Sequence, residues 1–183
     1  MNQDKRYNDA FVRMTKHRSI FLTEDFSKQM STTLCSMLLY LDTRSKDPIK
    51  LYISSNGGDL SSMYQVYDAM QMIESPINTI CIGKAYSAGA VILASGTKGM
   101  RQCMKNANVM IHGIQLVFPV QPDHDSYNSE NYLSHIEQLN ENLFKILSLH
   151  TNKSLDQVRA DCSRDLFLDA KKALDYGIVD SII

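Results

Sequence analysis

An α/β domain of stacked, mostly parallel strand–helix units is predicted by three features of the 183-residue chain. Short apolar strands alternate with amphipathic helical patterns along most of its length. The strand patterns end in glycine-rich or small-residue turns. No repeat, low-complexity tract or linker divides the sequence, so residues 1–183 read as a single domain.

The elements follow in order. Ser19-Ile20-Phe21-Leu22 reads as a first strand. Met30, Leu34, Met37, Leu38 and Leu41 recur at helical spacing. Ile49, Leu51 and Ile53 alternate with Lys50, Tyr52 and Ser54, a second strand that runs into Ser55-Asn56-Gly57-Gly58. Leu60, Met63, Tyr67, Met70 and Ile73 share one helical face, and Pro76 stops that helix before a strand over 77–82. Gly83-Lys84-Ala85-Tyr86-Ser87-Ala88-Gly89-Ala90 then leads into a small, apolar and therefore buried helix that Gly96 closes. Val109-Met110-Ile111 is a strand with His112 at its end. Periodicity is lost over 115–127, and a long helix follows from Tyr132 with Leu133, Ile136, Leu139, Leu143, Ile146 and Leu147 in register. Ser154 with Gln157 forms a capping box. Asp169 caps a short helix that Gly177 ends, and Ile178-Val179 opens a last strand.

Composition narrows the function. A hydrophobic content of 44% with 21% charge is that of an ordinary globular protein, and a net charge of −1 gives no electrostatic case for nucleic acid. No apolar run reaches the roughly 18 residues of a membrane span. The polar N-terminus lacks the apolar core of a secretory signal, so a cytoplasmic protein is expected. The four cysteines are widely spaced, with neither CxxC nor a Cys/His pattern, and are expected to be buried thiols. No metal and no cofactor within the chain is expected.

Ser87 stands where an apolar strand turns into a small-residue helix. The first amides of that helix lack intrahelical acceptors and are ready donors for a developing oxyanion. Ala85-Tyr86-Ser87-Ala88-Gly89 misses G-x-S-x-G only at its first position. A helix N-cap is the competing use of such a serine. Gly57-Gly58 is a plain turn, a phosphate cradle without its lysine, or a second source of oxyanion donors. His112 closes a strand, and Asp165 lies in Ser163-Arg164-Asp165 between two helical patterns. A Ser-His-Asp triad needs these groups to meet, which spacing alone leaves open.

Taken together, these segments resemble the Clp protease proteolytic subunit family. The resemblance rests on Ile20-Phe21-Leu22-Thr23, on the strand from Leu51 to Gly58, on Thr79 to Ala90, on Val109-Met110-Ile111-His112, and on Arg164 to Leu168 with Tyr176 to Asp180. It implies a Clp protease/crotonase-like fold with a projecting helical handle at about 115–150. It implies Ser87 as nucleophile, His112 as general base, Asp165 as its orienter, and the Gly58 and Ala88 amides as oxyanion hole. It further implies homo-oligomeric heptameric rings stacked as a tetradecamer; Ser163, in place of the family's acidic residue, makes single rings the fallback. An AAA+ unfoldase would use ATP on the protease's behalf, and unfolded polypeptide would be the substrate. The chain departs from the pattern at Asn56, where the family has Pro, at Ala88 for Met, and at Gly113-Ile114 for Gln-Pro. Further departures are Ser163 for an acidic residue and a 115–128 stretch that contains Pro119 and Pro122. The alternatives are a non-catalytic ring subunit, a crotonase-like acyl-CoA enzyme, and a maturation protease that works without an ATPase.

Overall fold

A computed structural model describes the backbone of residues 3–114 and 129–183, with side chains over 10–114 and 134–183. Strands β1 (Ser19–Leu22), β2 (Ile49–Ser55) and β3 (Ile77–Tyr86) form a parallel ladder in which Ile20 pairs Leu51 and Leu51 pairs Thr79. The alternation read in β2 is present: Ile49, Leu51 and Ile53 are fully buried, and Lys50 is exposed. An N-terminal helix α1 (Gln3–Lys16) precedes β1, in a polar segment to which the sequence reading gave no structure. The crossovers are helices α2 (Lys28–Arg44) and α3 (Leu60–Met72). Ser27 and Asp59 cap them, accepting from Met30 N–H and Ser62 N–H. Their apolar faces, with Leu34, Leu38 and Leu41 on one and Met63, Val66 and Met70 on the other, join the core. Each such side chain contributes about 1.5–3 kcal/mol when fully buried, so the layer packing outweighs any local propensity.

β3 serves two partners. Its Ile80 and Cys81 pair with β4 (Gln102–Cys103), and Lys84 to Tyr86 pair with β5 (Asn108–Ile111). β4 continues to β7 (Ser181–Ile182), whereas β5 continues to the antiparallel β6 (Leu166–Asp169). The fork places the C-terminal end of β3 under a small second ladder. Helix α4 (Ala88–Ala94), which starts there, is buried at every residue.

Two caps read in the sequence are present. Ser154 accepts from Gln157 N–H to start α6 (Leu155–Asp161), and Asp169 accepts from Lys172 N–H to start α7 (Ala170–Tyr176). Other expectations are corrected. β3 runs on past Ile82, through Gly83, to Tyr86. Ile178 and Val179 are buried but belong to no strand; the last strand is the two-residue β7. Residues 115–128, with Pro119 and Pro122, lie outside the described residues. The long helix α5 (Ser129–His150) is present, but Leu143, Phe144 and Leu147 of its last turns are buried in this domain's own core. Leu143 and Leu147 are therefore not available to a partner ring, against which the handle implied by the resemblance would set the helix's apolar face.

Arg101 ties the closing elements together. Only 4% exposed, it donates to the Asp180 carboxylate through Nε, at 2.9 Å, and Nη2, and to the Ala94 and His150 carbonyls through Nη1. Burial alone would raise the Asp180 carboxyl, but the hydrogen bonds from Arg101 outweigh it and hold that group below its usual range. All four cysteines are buried and unbridged. Cys81 and Cys103 face each other in register, and their contact, together with burial, pushes the Cys81 thiol far up. Such a thiol is inert at neutral pH.

Candidate active site

Ser87 occupies the single-residue corner between β3 and α4, at φ 52° and ψ −119°. For a residue with a Cβ this conformation costs on the order of 1–3 kcal/mol, and it persists only where the surroundings enforce it. Here they do. Ser87 N–H donates to the Met110 carbonyl at 2.8 Å, and its own carbonyl accepts from Ala90 N–H at 2.9 Å and Val91 N–H at 3.2 Å. The hydroxyl makes no capping hydrogen bond to the helix, so the N-cap reading of this serine fails.

The two ladders flanking β5 set what lies around the serine. Tyr86 pairs Met110 in the parallel ladder, so Ser87 stands beside Ile111 with His112 next along the chain. Ile111 pairs Leu166 in the antiparallel ladder, so one further step sets His112 opposite Asp165. Ser87, His112 and Asp165 thus fall at the same end of three adjacent strands. The structure brings Ser87 and His112 into one cavity of about 350 Å³, whose lining also includes Gly58 and Ala88. Asp165 is not among the lining residues. The Nδ1 atom of His112 is buried and has no hydrogen-bond partner among the described residues. Leaving such an atom unpaired costs about 1–3 kcal/mol.

The chain beyond His112 is anchored sideways. Gly113 N–H donates to the Cys162 carbonyl at 2.8 Å and Ile114 N–H to Asn140 Oδ1 at 2.6 Å. A proline at position 114 would remove the second bond, and a Cβ at 113 would lie 3.1 Å from Asn140 Oδ1. The Gly-Ile pair thus follows from the way this segment packs on α5 and the end of α6.

Across the cavity, the turn after β2 carries Gly57 at φ 105° and Gly58 at φ 133°. A Cβ on Gly58 would lie 2.6 Å from the Phe26 backbone, and one on Gly57 would lie 2.7 Å from Ser87 Cβ. Both positions therefore demand glycine. Phe26 N–H donates to the Gly57 carbonyl at 2.7 Å, and the Phe26 carbonyl accepts from Asp59 N–H at 3.0 Å. In a parallel bridge this pattern leaves the Gly58 amide pointing away from Phe26. The Ala88 amide, first in α4, has no intrahelical acceptor by position. The residues that carry these two main-chain donors line the same cavity as Ser87.

The remaining wall is apolar, with Met63, Val91, Ile111, Leu143 and Leu147. Sequence reasoning missed Leu143 and Leu147 as wall residues because it assigned them to another subunit. It also missed Ser55, which is 1% exposed, donates to the Glu24 carbonyl at 2.8 Å and accepts from Gly57 N–H at 3.1 Å. The signal was there: Ser55 is in phase with Ile49, Leu51 and Ile53, a polar residue where the alternation calls for an apolar one. Among the described residues, no three His, Cys, Asp or Glu side chains gather as a metal site, and no helix is long and apolar enough to cross a membrane.

Comparison with known proteins adds to this geometry. A family model described as Clp protease matches residues 2–183. The chain is 37% identical over 184 residues to the ATP-dependent Clp protease proteolytic subunit 1 of Salinibacter ruber (strain DSM 13855 / M31), a match that covers 98% of this chain and 76% of that protein. It is 38% identical over 178 residues to the ATP-dependent Clp protease proteolytic subunit of Carsonella ruddii (strain PV), covering 97% and 90%.

Proposed function

Because the chain belongs to the Clp protease family, and is one of its serine endopeptidase subunits, we propose that Ser87 is the nucleophile, His112 the general base and Asp165 the carboxylate that orients the base. The observation that carries this assignment is the pair of ladders on β5, which puts the three residues in adjacent positions at one sheet end. Ser87 Oγ attacks the scissile carbonyl while His112 takes its proton. The Gly58 and Ala88 amides receive the oxyanion, and His112 returns the proton to the leaving amine. Water then repeats the sequence on the acyl-enzyme, with His112 again as base. The unpartnered His112 Nδ1 is the atom that the Asp165 carboxylate engages in the working enzyme, since catalytic hydrogen bonds often tighten only once substrate is bound. The apolar wall beside Ser87 receives the side chain preceding the scissile bond, and an apolar residue fits it best.

Labelling with a fluorophosphonate, followed by mass mapping, tests the assignment. The label is expected on Ser87, with His112→Ala and Asp165→Ala each slowing labelling by about 10²–10⁴-fold. A label on another serine, or an unaffected His112→Ala variant, would overturn it.

The protease is proposed to work as heptameric rings stacked into a tetradecamer, in the cytoplasm, fed unfolded polypeptide by an AAA+ ATPase. Four unbridged thiols suit a reducing compartment. Among the described side chains of α5, those in the core belong to its last turns, whereas Ile136 and Leu139 share a half-buried face. A second ring would cover that face. Leu139→Glu is expected to reduce a particle of about fourteen subunits to single rings, seen by light scattering, at an unchanged melting temperature. A fully active monomer would refute the assembly.

A further inference from the structure

β3 continues past its apolar run by bulging. Cys81 pairs Ile53 and Ala85 pairs Ser55, so residues 82–84 of β3 stand against Ser54 alone. The bulge turns on Gly83, whose φ of 76° is open to glycine and costly to other residues. It carries the half-buried Lys84 to the turn after β2, where Nζ donates to Asn56 Oδ1 at 2.6 Å. The other end of the same amide is also used: Asn56 Nδ2 donates to Asp25 Oδ1 at 3.2 Å. The amide thus offers its acceptor to a cation and its donor to an anion, so each hydrogen bond polarises the other in the favourable sense.

The three residues belong to the three segments that build the oxyanion side of the cavity. Lys84 is on the strand that leads into Ser87. Asp25 adjoins Phe26, whose main chain brackets Gly58 through the Gly57 carbonyl and the Asp59 amide. Asn56 precedes the two glycines, which have no side chains with which to hold themselves. The resembled family has a proline at this position, whose ring restricts φ. Asn56 imposes no such restriction, and here a side-chain clamp spans the same turn.

We propose that Asn56, clamped by Lys84 and Asp25, is a positioning residue that sets the Gly58 amide against the oxyanion formed when Ser87 attacks. The proposal rests on the roles given above to Ser87 and Gly58. An oxyanion donor contributes only when it is placed in advance, so slack in the turn weakens transition-state binding and leaves ground-state binding alone. None of the three clamp residues is among those that line the cavity, so loss of the clamp acts on kcat and spares KM.

The test is steady-state hydrolysis of a fluorogenic peptide by the full chain carrying Asn56→Ala or Lys84→Met. Each is expected to lower kcat about three- to tenfold, as the loss of one charge-assisted hydrogen bond would, with KM within about twofold. The double variant should fall no further than the poorer single one, and Lys84→Arg should retain most of the rate. A wild-type kcat in both single variants, or a loss carried by KM, would overturn the clamp. Ser87→Ala measured in parallel separates the two levels. If it keeps its rate, the roles on which the proposal rests are wrong. If it is inactive while Asn56→Ala turns over normally, those roles stand and the clamp alone fails.

Discussion

Ser87→Ala should abolish peptide hydrolysis and fluorophosphonate labelling and leave the fold unchanged. Loss of the nucleophile in a triad enzyme removes about six orders of magnitude in kcat, since the members act as a unit. For the same reason, adding His112→Ala to Ser87→Ala should cost almost nothing more. Stability should not follow activity. The Ser87 hydroxyl makes no capping bond, and the main-chain bonds that hold its strained φ survive the change to alanine. Ser87→Gly should go further and raise the melting temperature, because glycine adopts φ 52° without the cost that a Cβ brings. Full activity in Ser87→Ala, or a melting temperature that collapses with it, would contradict this account.

The largest stability effect is expected at the other end of α4 from Ser87. Asp180→Ala leaves the Arg101 guanidinium buried with two carbonyl acceptors but no counter-charge. Breaking a buried pair in this way costs about 3–5 kcal/mol, and the remaining carbonyl bonds favour the lower end. Replacing both partners, as in Arg101→Met with Asp180→Ala, should cost less than the sum of the single changes, because no unpaired charge is left behind. The pH dependence follows from the direction of the Asp180 shift. Its carboxyl is more acidic folded than unfolded, so its contribution is complete above the usual value near 3.8 and is lost as pH falls below it. Urea titrations at neutral pH and through the acid limb would show the wild type losing this increment and Asp180→Asn having little of it to lose. Equal acid sensitivity in the two would refute the linkage.

Much of the architecture was legible because it depends on local rules. Ser154, Asp169 and Gly177 were readable as caps since each acts within three or so residues of its own position. β2 was readable because one face is buried and the other is not. What local pattern could not supply was the identity of the neighbour. Leu143 and Leu147 are periodic whether they cover their own core or another ring, and the structure assigns them to the wall of the site. β6 was hidden because four residues between helices look like a connection until β5 pairs with them. That same pairing turns Asp165 from a loop carboxylate into the residue across from His112. β3 was cut short at Gly83 because glycine usually signals an ending, whereas here it permits a bulge that continues the strand. The site residues were legible mainly through their resemblance to a family. The reason they fall at one sheet end, two ladders sharing β5, is a long-range fact with no local signature.

The placement of Arg101 also bears on the order in which the chain can fold during synthesis. Its carboxylate partner lies 79 positions later. At about 5–20 residues added per second, translation delivers that partner roughly 4 to 16 seconds after the arginine itself. Until then the guanidinium lacks its native counter-charge, and burying it between the ends of α4 and α5 carries the cost of an unpaired buried charge. β1, β2 and β3 with the crossover helices α2 and α3 can pack earlier, since their ladders and caps do not involve Asp180. The charge pair is therefore among the last contacts the nascent domain can make. A chain that stops just short of residue 180 lacks both that pair and β7, which leaves the β4 flank of the sheet open.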